Sequence, residues 1–290
     1  MQPIHPRWST WAFLVYASGL LALVALEGWW TYFGAQWSDA GFTASVLGLF
    51  AAAAAVAAWF RRTAHPVSAG VYAFVALAAF TAFLGALWAW FGWSAPPDAG
   101  GFDGFHVSRL LLVLLAFAAA VVALRVFRFP LLLLPVIGTG WYFVTDFISN
   151  GGGWSAVVTL VVGLCILGSA LVVDDGPSRV YGMWLHVGAG LLIGGGLLYF
   201  WHGGNVEWTL VALAAIGYIL FADVTGRASW AVLGTLGLLL ASSHFALEWT
   251  HVQFLFFDSG DETVRGWVAP LVLTCLAAVL VALGLRSARR

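Results

Sequence analysis

Three side chains near the end of one apolar run could do chemistry. From Trp230 the chain reads WAVLGTLGLLLASSHFALEWTH, closing on His244, Glu248 and His251. On a helix these positions, i, i+4 and i+7, fall within about 60° of one another. Two imidazoles and a carboxylate on one face could grip a divalent metal, relay a proton or gate an ion. A metal needs at least a third or fourth ligand with support behind it. His202, Glu207, Asp146, Asp258 and Glu27 are available, all on one side of the membrane under the topology derived below. A haem would need axial ligands from facing helices, and His202 with His244 is the pair at similar depth. A divalent metal fits better than haem, because no C-x-x-C-H attachment motif occurs. The competing expectation is bland: polar groups solvated at the membrane surface, where Trp249 marks the interface.

A second run carries a different signal. Gly182, His186, Gly190 and Gly194 recur at i+4, and Gly188, Gly195 and Gly196 widen the small surface. Small residues at that spacing let membrane helices pack closely. The expected role is packing, with His186 hydrogen-bonded to a neighbouring carbonyl. The functional alternative is a buried proton carrier or haem ligand, since ionisable groups in the membrane are costly and often functional.

The elements that hold these residues are membrane helices. Of 290 residues, 62% are hydrophobic and 9% charged, a composition that places the chain among integral membrane proteins. A span needs about twenty apolar residues. That rule predicts an all-α, polytopic bundle of about ten helices: 11–30, 41–60, 70–93, 106–127, 130–149, 154–173, 180–201, 206–223, 228–250 and 267–286. Gly and Pro punctuate the breaks, and Pro135 and Pro270 fall early enough in their spans to be first-turn or kink prolines. The first run is long enough to span and reads as a retained helix rather than a cleaved signal. A single integral membrane domain, 1–290, is expected. Cys165 and Cys275 each sit in an apolar run and predict no disulfide framework.

Lysine is absent; all twelve basic residues are arginine. Schiff-base chemistry and a Walker A phosphate loop both need lysine and are excluded. With the N-terminus inside, Arg7, Arg61, Arg62, Arg125, Arg128, Arg179, Arg227, Arg286, Arg289 and Arg290 are cytoplasmic, and only Arg109 and Arg265 are outside. That asymmetry predicts a multi-pass protein of a bacterial-type inner membrane with both termini cytoplasmic. Ten of the thirteen acids fall on the opposite side: Glu27, Asp39, Asp98, Asp103, Asp146, Glu207, Glu248, Asp258, Asp261 and Glu262. Acids do not set topology, so their excess asks for another reason.

Internal repetition supplies one. Residues 70–173 align loosely with 180–286, pairing Ile137-Gly138-Thr139 with Leu233-Gly234-Thr235 and Gly153-Trp154 with Gly266-Trp267, with 11–61 as an extra hairpin. A four-span unit keeps one orientation, giving helical-hairpin repeats in parallel rather than inverted. Glu27, Asp146 and Glu248 then become equivalents and could form an acidic, cation-attracting mouth. Glu207 and His186 join Glu27 and Asp146 as candidate pathway or gate residues; His244, Glu248, His251 and His202 are the candidate metal ligands. The expected function is transport or ion permeation through a cation- or proton-sensitive outer vestibule. The alternatives are a membrane enzyme or redox protein with a metal or haem outside, and an accessory subunit of a membrane complex. The expected partners are the lipid bilayer and a second copy or membrane-complex subunit, with no nucleic acid.

Overall fold

A computed structural model of the chain describes residues 14, 17–19, 21–25, 39–63, 65–93, 107–148, 152–176 and 179–250, with backbone alone from 246 to 250. The described positions between 14 and 25 are helical (α1). There follow α2 (Asp39–Arg62), α3 (Pro66–Trp90), α4 (Val107–Phe127), a 3-10 turn (Pro130–Leu132), α5 (Leu133–Ile148), α6 (Gly152–Asp174), α7 (Arg179–Phe200), α8 (Asn205–Thr225) and α9 (Ala228–Thr250). The chain is an all-helical, polytopic membrane protein: among the described residues eight helices are long and apolar enough to cross a membrane. They correspond to the second through ninth expected spans. The first expected span is described only at α1, and the tenth, 267–286, lies outside the described residues.

Internal contacts gather into two compact units, 1–158 with 173–185, and 159–172 with 186–290. In the first, α2 and α3 form a tight hairpin. Arg61 and Arg62 close α2, where cations suit the negative end of the helix dipole, and Pro66 opens α3, where the missing N–H costs nothing. Between them the His65 N–H donates to the Phe60 carbonyl at 3.0 Å. Small residues let the helices close up: Ala53, Val75 and Ala76 make one buried cluster, and Ala57, Ala73 and Leu132 another. Gly70 faces the Phe129 ring so closely that any side chain there would overlap it. The α4–α5 connection is the short turn expected from sequence. Arg128 takes a left-handed φ of 52°, and the Tyr181 hydroxyl donates to its carbonyl at 3.4 Å. Pro135 lies in the first turn of α5, the position a helix tolerates.

In the second unit α8 and α9 are joined through Gly226, whose φ of 64° gives the left-handed C-cap that glycine adopts without strain. Their axes approach at Gly234, where a Cβ would lie 2.5 Å from the Ala215 carbonyl oxygen and 3.1 Å from the Ile219 nitrogen. The glycine face of α7 packs as expected. Gly190 lies against Leu233 and Trp230 of α9, and a Cβ on Gly163 of α6 would meet the Ile193 nitrogen of α7 at 3.1 Å. Gly194 and Gly195 leave space instead, and with Tyr218, Leu236 and Leu240 they border an apolar pocket of about 330 Å³.

Candidate functional site

Three polar arrangements interrupt these apolar packings. The most deeply buried charges are Arg109, in the first turn of α4, and Asp146, in the last turn of α5. Arg109 is 7% exposed and Asp146 2%. Arg109 Nε donates to Asp146 Oδ2 at 3.1 Å, and Nη2 lies against Oδ1, so the guanidinium grips the carboxylate through two nitrogens. Tyr142, one turn before Asp146, lies in the field of both charges. Beside the pair, the Trp88 indole N–H donates to Ser108 Oγ at 3.3 Å, tying α3 to the start of α4. Sequence reading placed Asp146 in an acidic mouth and left Arg109 as an exception to the arginine asymmetry. The structure explains each by the other. The signal was present: Arg109 is an arginine just inside an apolar run on the acid-rich side.

The second arrangement surrounds His186, which is fully buried. Its partner is not the expected carbonyl. The Trp230 indole N–H donates to His186 Nδ1 at 3.0 Å, and the rings meet edge-on. Because indole nitrogen can only donate, Nδ1 must be the acceptor and the neutral ring carries its proton on Nε2. Tyr218 and Phe221 of α8 pack edge-on against the same indole, at 4.8 and 5.0 Å between ring centres. The Tyr218 hydroxyl donates to the Gly190 carbonyl at 2.9 Å, satisfying the last polar group of the cluster. A sequence scan weighs histidines against carbonyls and carboxylates; a tryptophan 44 residues away gives no local signal.

The third lies where α7 ends, α8 begins and α9 nears its end. His202 Nδ1 is 2.7 Å from the Tyr199 carbonyl and 3.2 Å from that of Leu198. Carbonyls only accept, so Nδ1 carries the proton and the neutral ring presents a lone pair at Nε2. His244 stacks on Trp208, with centres 4.7 Å apart and planes 13° from parallel, and its Nε2 donates to Asn205 Oδ1 at 3.2 Å. Its Nδ1 is then the lone-pair nitrogen. Glu207 sits in the first turn of α8, where a carboxylate suits the positive end of the dipole, and folds back toward Gly204. Glu248 follows His244 by one turn on α9, but its side chain, like His251 and Glu27, lies outside the described residues. Among the described residues, no three of His, Cys, Asp and Glu come close enough together to hold a metal ion.

Comparison with known proteins gives no relative to reason from: no family model, curated protein or solved structure matches the chain.

Proposed function

We propose that this membrane protein moves ions or small solutes across its bilayer, and that protons control the passage at the outer ends of its helices. The observation that carries the reading is the buried Arg109–Asp146 pair. Apolar residues in place of a buried ion pair are often neutral or stabilising by about 1–4 kcal/mol, so stability alone gives little reason to keep one. Charges inside membrane segments mark ion and proton pathways far more often than they mark glue. Protonating Asp146 neutralises the carboxylate that Arg109 grips, which gives α4 and α5 two states with a proton as the switch. Glu207, and Glu27 if it lies near, would enrich cations at the same mouth. His186 serves packing in this account, because a proton on Nδ1 would break its bond from Trp230. Ten spans, both termini in the cytoplasm of a bacterial-type inner membrane, and the four-span repeat belong to the same proposal.

The test is flux. Full-length protein is reconstituted in vesicles holding a pH-sensitive dye, and a pH gradient is imposed. Proton movement above that of empty vesicles is expected, with its pH dependence lost in Asp146→Asn. Equal flux and equal pH dependence in both proteins would refute the role of the pair. Absence of flux, with a stoichiometric partner co-purifying, would favour the accessory-subunit reading.

A second reading has its own support. His202 and His244 each direct a lone-pair nitrogen away from a hydrogen bond made by the opposite nitrogen, the tautomer a metal ligand needs. Together with Glu248 and His251 they would form a divalent-metal site on the outer side. Zinc or copper retained by wild type and lost from a His244→Ala, His251→Ala double variant would support it; equal metal content would not.

A further inference from the structure

We infer that Arg109 is an anion-binding residue, and that a small anion is taken up there together with the proton that neutralises Asp146. The inference rests on the proposed transport role and names the class of solute. It starts from charge balance at a buried place. As it stands the pair is neutral: one guanidinium, one carboxylate, both nearly shielded from solvent. Among the described residues, the groups that carry or can carry charge around Asp146 are Arg109 on α4 and Tyr142 on its own helix. Arginine stays protonated at any working pH. Tyr142, neutral in its ordinary state, adds no counter-charge.

When Asp146 takes a proton, the place acquires a net positive charge. An uncompensated charge out of water is expensive, so the protonated state is held back unless another anion arrives. The guanidinium that gripped two carboxylate oxygens already has the fork that fits a second carboxylate, or an oxyanion of similar size. Asp146 is then the resident stand-in for the ligand. Proton and anion enter as a neutral pair, or neither enters. Because linkage is reciprocal, the proton tightens anion binding as much as the anion favours the proton.

The linkage gives a number to read. At pH values where Asp146 is ionised, each unit of acidification should tighten anion binding about tenfold, since one proton accompanies one anion. Below the pH at which Asp146 is already protonated, affinity should level off. In Asp146→Asn the carboxylate is gone at every pH, so anion binding should be independent of pH and equal to the acid limit of wild type.

The experiment uses full-length protein in detergent and weak buffer with a pH indicator. Sodium chloride, nitrate, formate and phosphate are added separately, and proton uptake is followed together with the heat of binding. At least one anion should draw about one proton per chain into wild type. Asp146→Asn should bind that anion without proton uptake, and Arg109→Gln should do neither. Wild type alone decides if the variants fail to fold: no anion-linked proton uptake with any of the four salts overturns the inference. Uptake that persists unchanged in Asp146→Asn overturns it too. If vesicle flux still depends on Asp146 while no anion draws a proton, only the anion inference falls. If flux never depends on Asp146, the transport reading falls instead.

Discussion

Replacing Gly234 by alanine should separate α8 from α9, and the same change at Gly138 should not disturb its neighbours. At Gly234 the new Cβ would stand 2.5 Å from the Ala215 oxygen, 2.7 Å from Ile219 Cγ1 and 3.1 Å from the Ile219 nitrogen. The Ile219 side chain can rotate away. The Ala215 carbonyl and the Ile219 amide cannot, because both are held in the α8 backbone. Carbon and carbonyl oxygen rest at about 3.3–3.6 Å, so the helices must part by most of an ångström. A gap of that size forfeits about a quarter to a half of each dispersion contact along the seam. Overpacking of this kind costs about 1–3 kcal/mol, against a gain of about 0.5–1 kcal/mol for removing a mid-helix glycine. Gly234→Ala should therefore unfold more readily than wild type in one detergent. Gly138 has no atom within 4 Å of a built Cβ, so Gly138→Ala should gain the helix propensity and lose nothing. Denaturant midpoints followed by tryptophan fluorescence would rank them. Gly234→Ala at or above the midpoint of Gly138→Ala would refute the packing argument. The pair bears on the repeat as well, because the two glycines, matched by sequence, have different neighbours.

Trp230→Phe keeps an aromatic ring but removes the donor to His186, leaving a buried acceptor at a cost of about 1–3 kcal/mol, or nearer 0.6–1.7 kcal/mol on membrane-protein scales. Adding His186→Leu to that variant should recover most of the loss in the same denaturation assay; no recovery would mean the bond is not what is lost. The arginine asymmetry predicts that, in a cysteine-free background, Ser259→Cys is labelled by an impermeant thiol reagent in intact cells and Ser287→Cys is not. The opposite pattern would invert the topology.

Spans were legible because the membrane imposes one demand, about twenty apolar residues with every backbone group bonded internally. The edges of α2 to α9 fall within a few residues of the runs read from hydropathy. Pro66 and Gly226 gave the hairpin turns for the same reason: each has a backbone property the position requires. The site was less legible. His244, Glu248 and His251 share a helical face by spacing, but spacing says nothing of Asn205 and Trp208, which come from another helix to hold His244. Asp146 read as one acid among ten, since a sequence lists charges without their partners. Its bond to Arg109 spans 37 residues and depends on how α4 and α5 pack. His186 was read correctly as buried and wrongly as carbonyl-bonded, because burial follows from local composition and a partner does not.

The claim that joins these features is that Asp146 changes protonation while the protein works. Infrared difference spectroscopy on vesicles shifted from neutral to acid pH would observe it directly. The account predicts a protonated-carboxyl band that appears over the pH range in which flux changes, and that is missing in Asp146→Asn. A flux that responds to pH with no band assignable to Asp146 would contradict it.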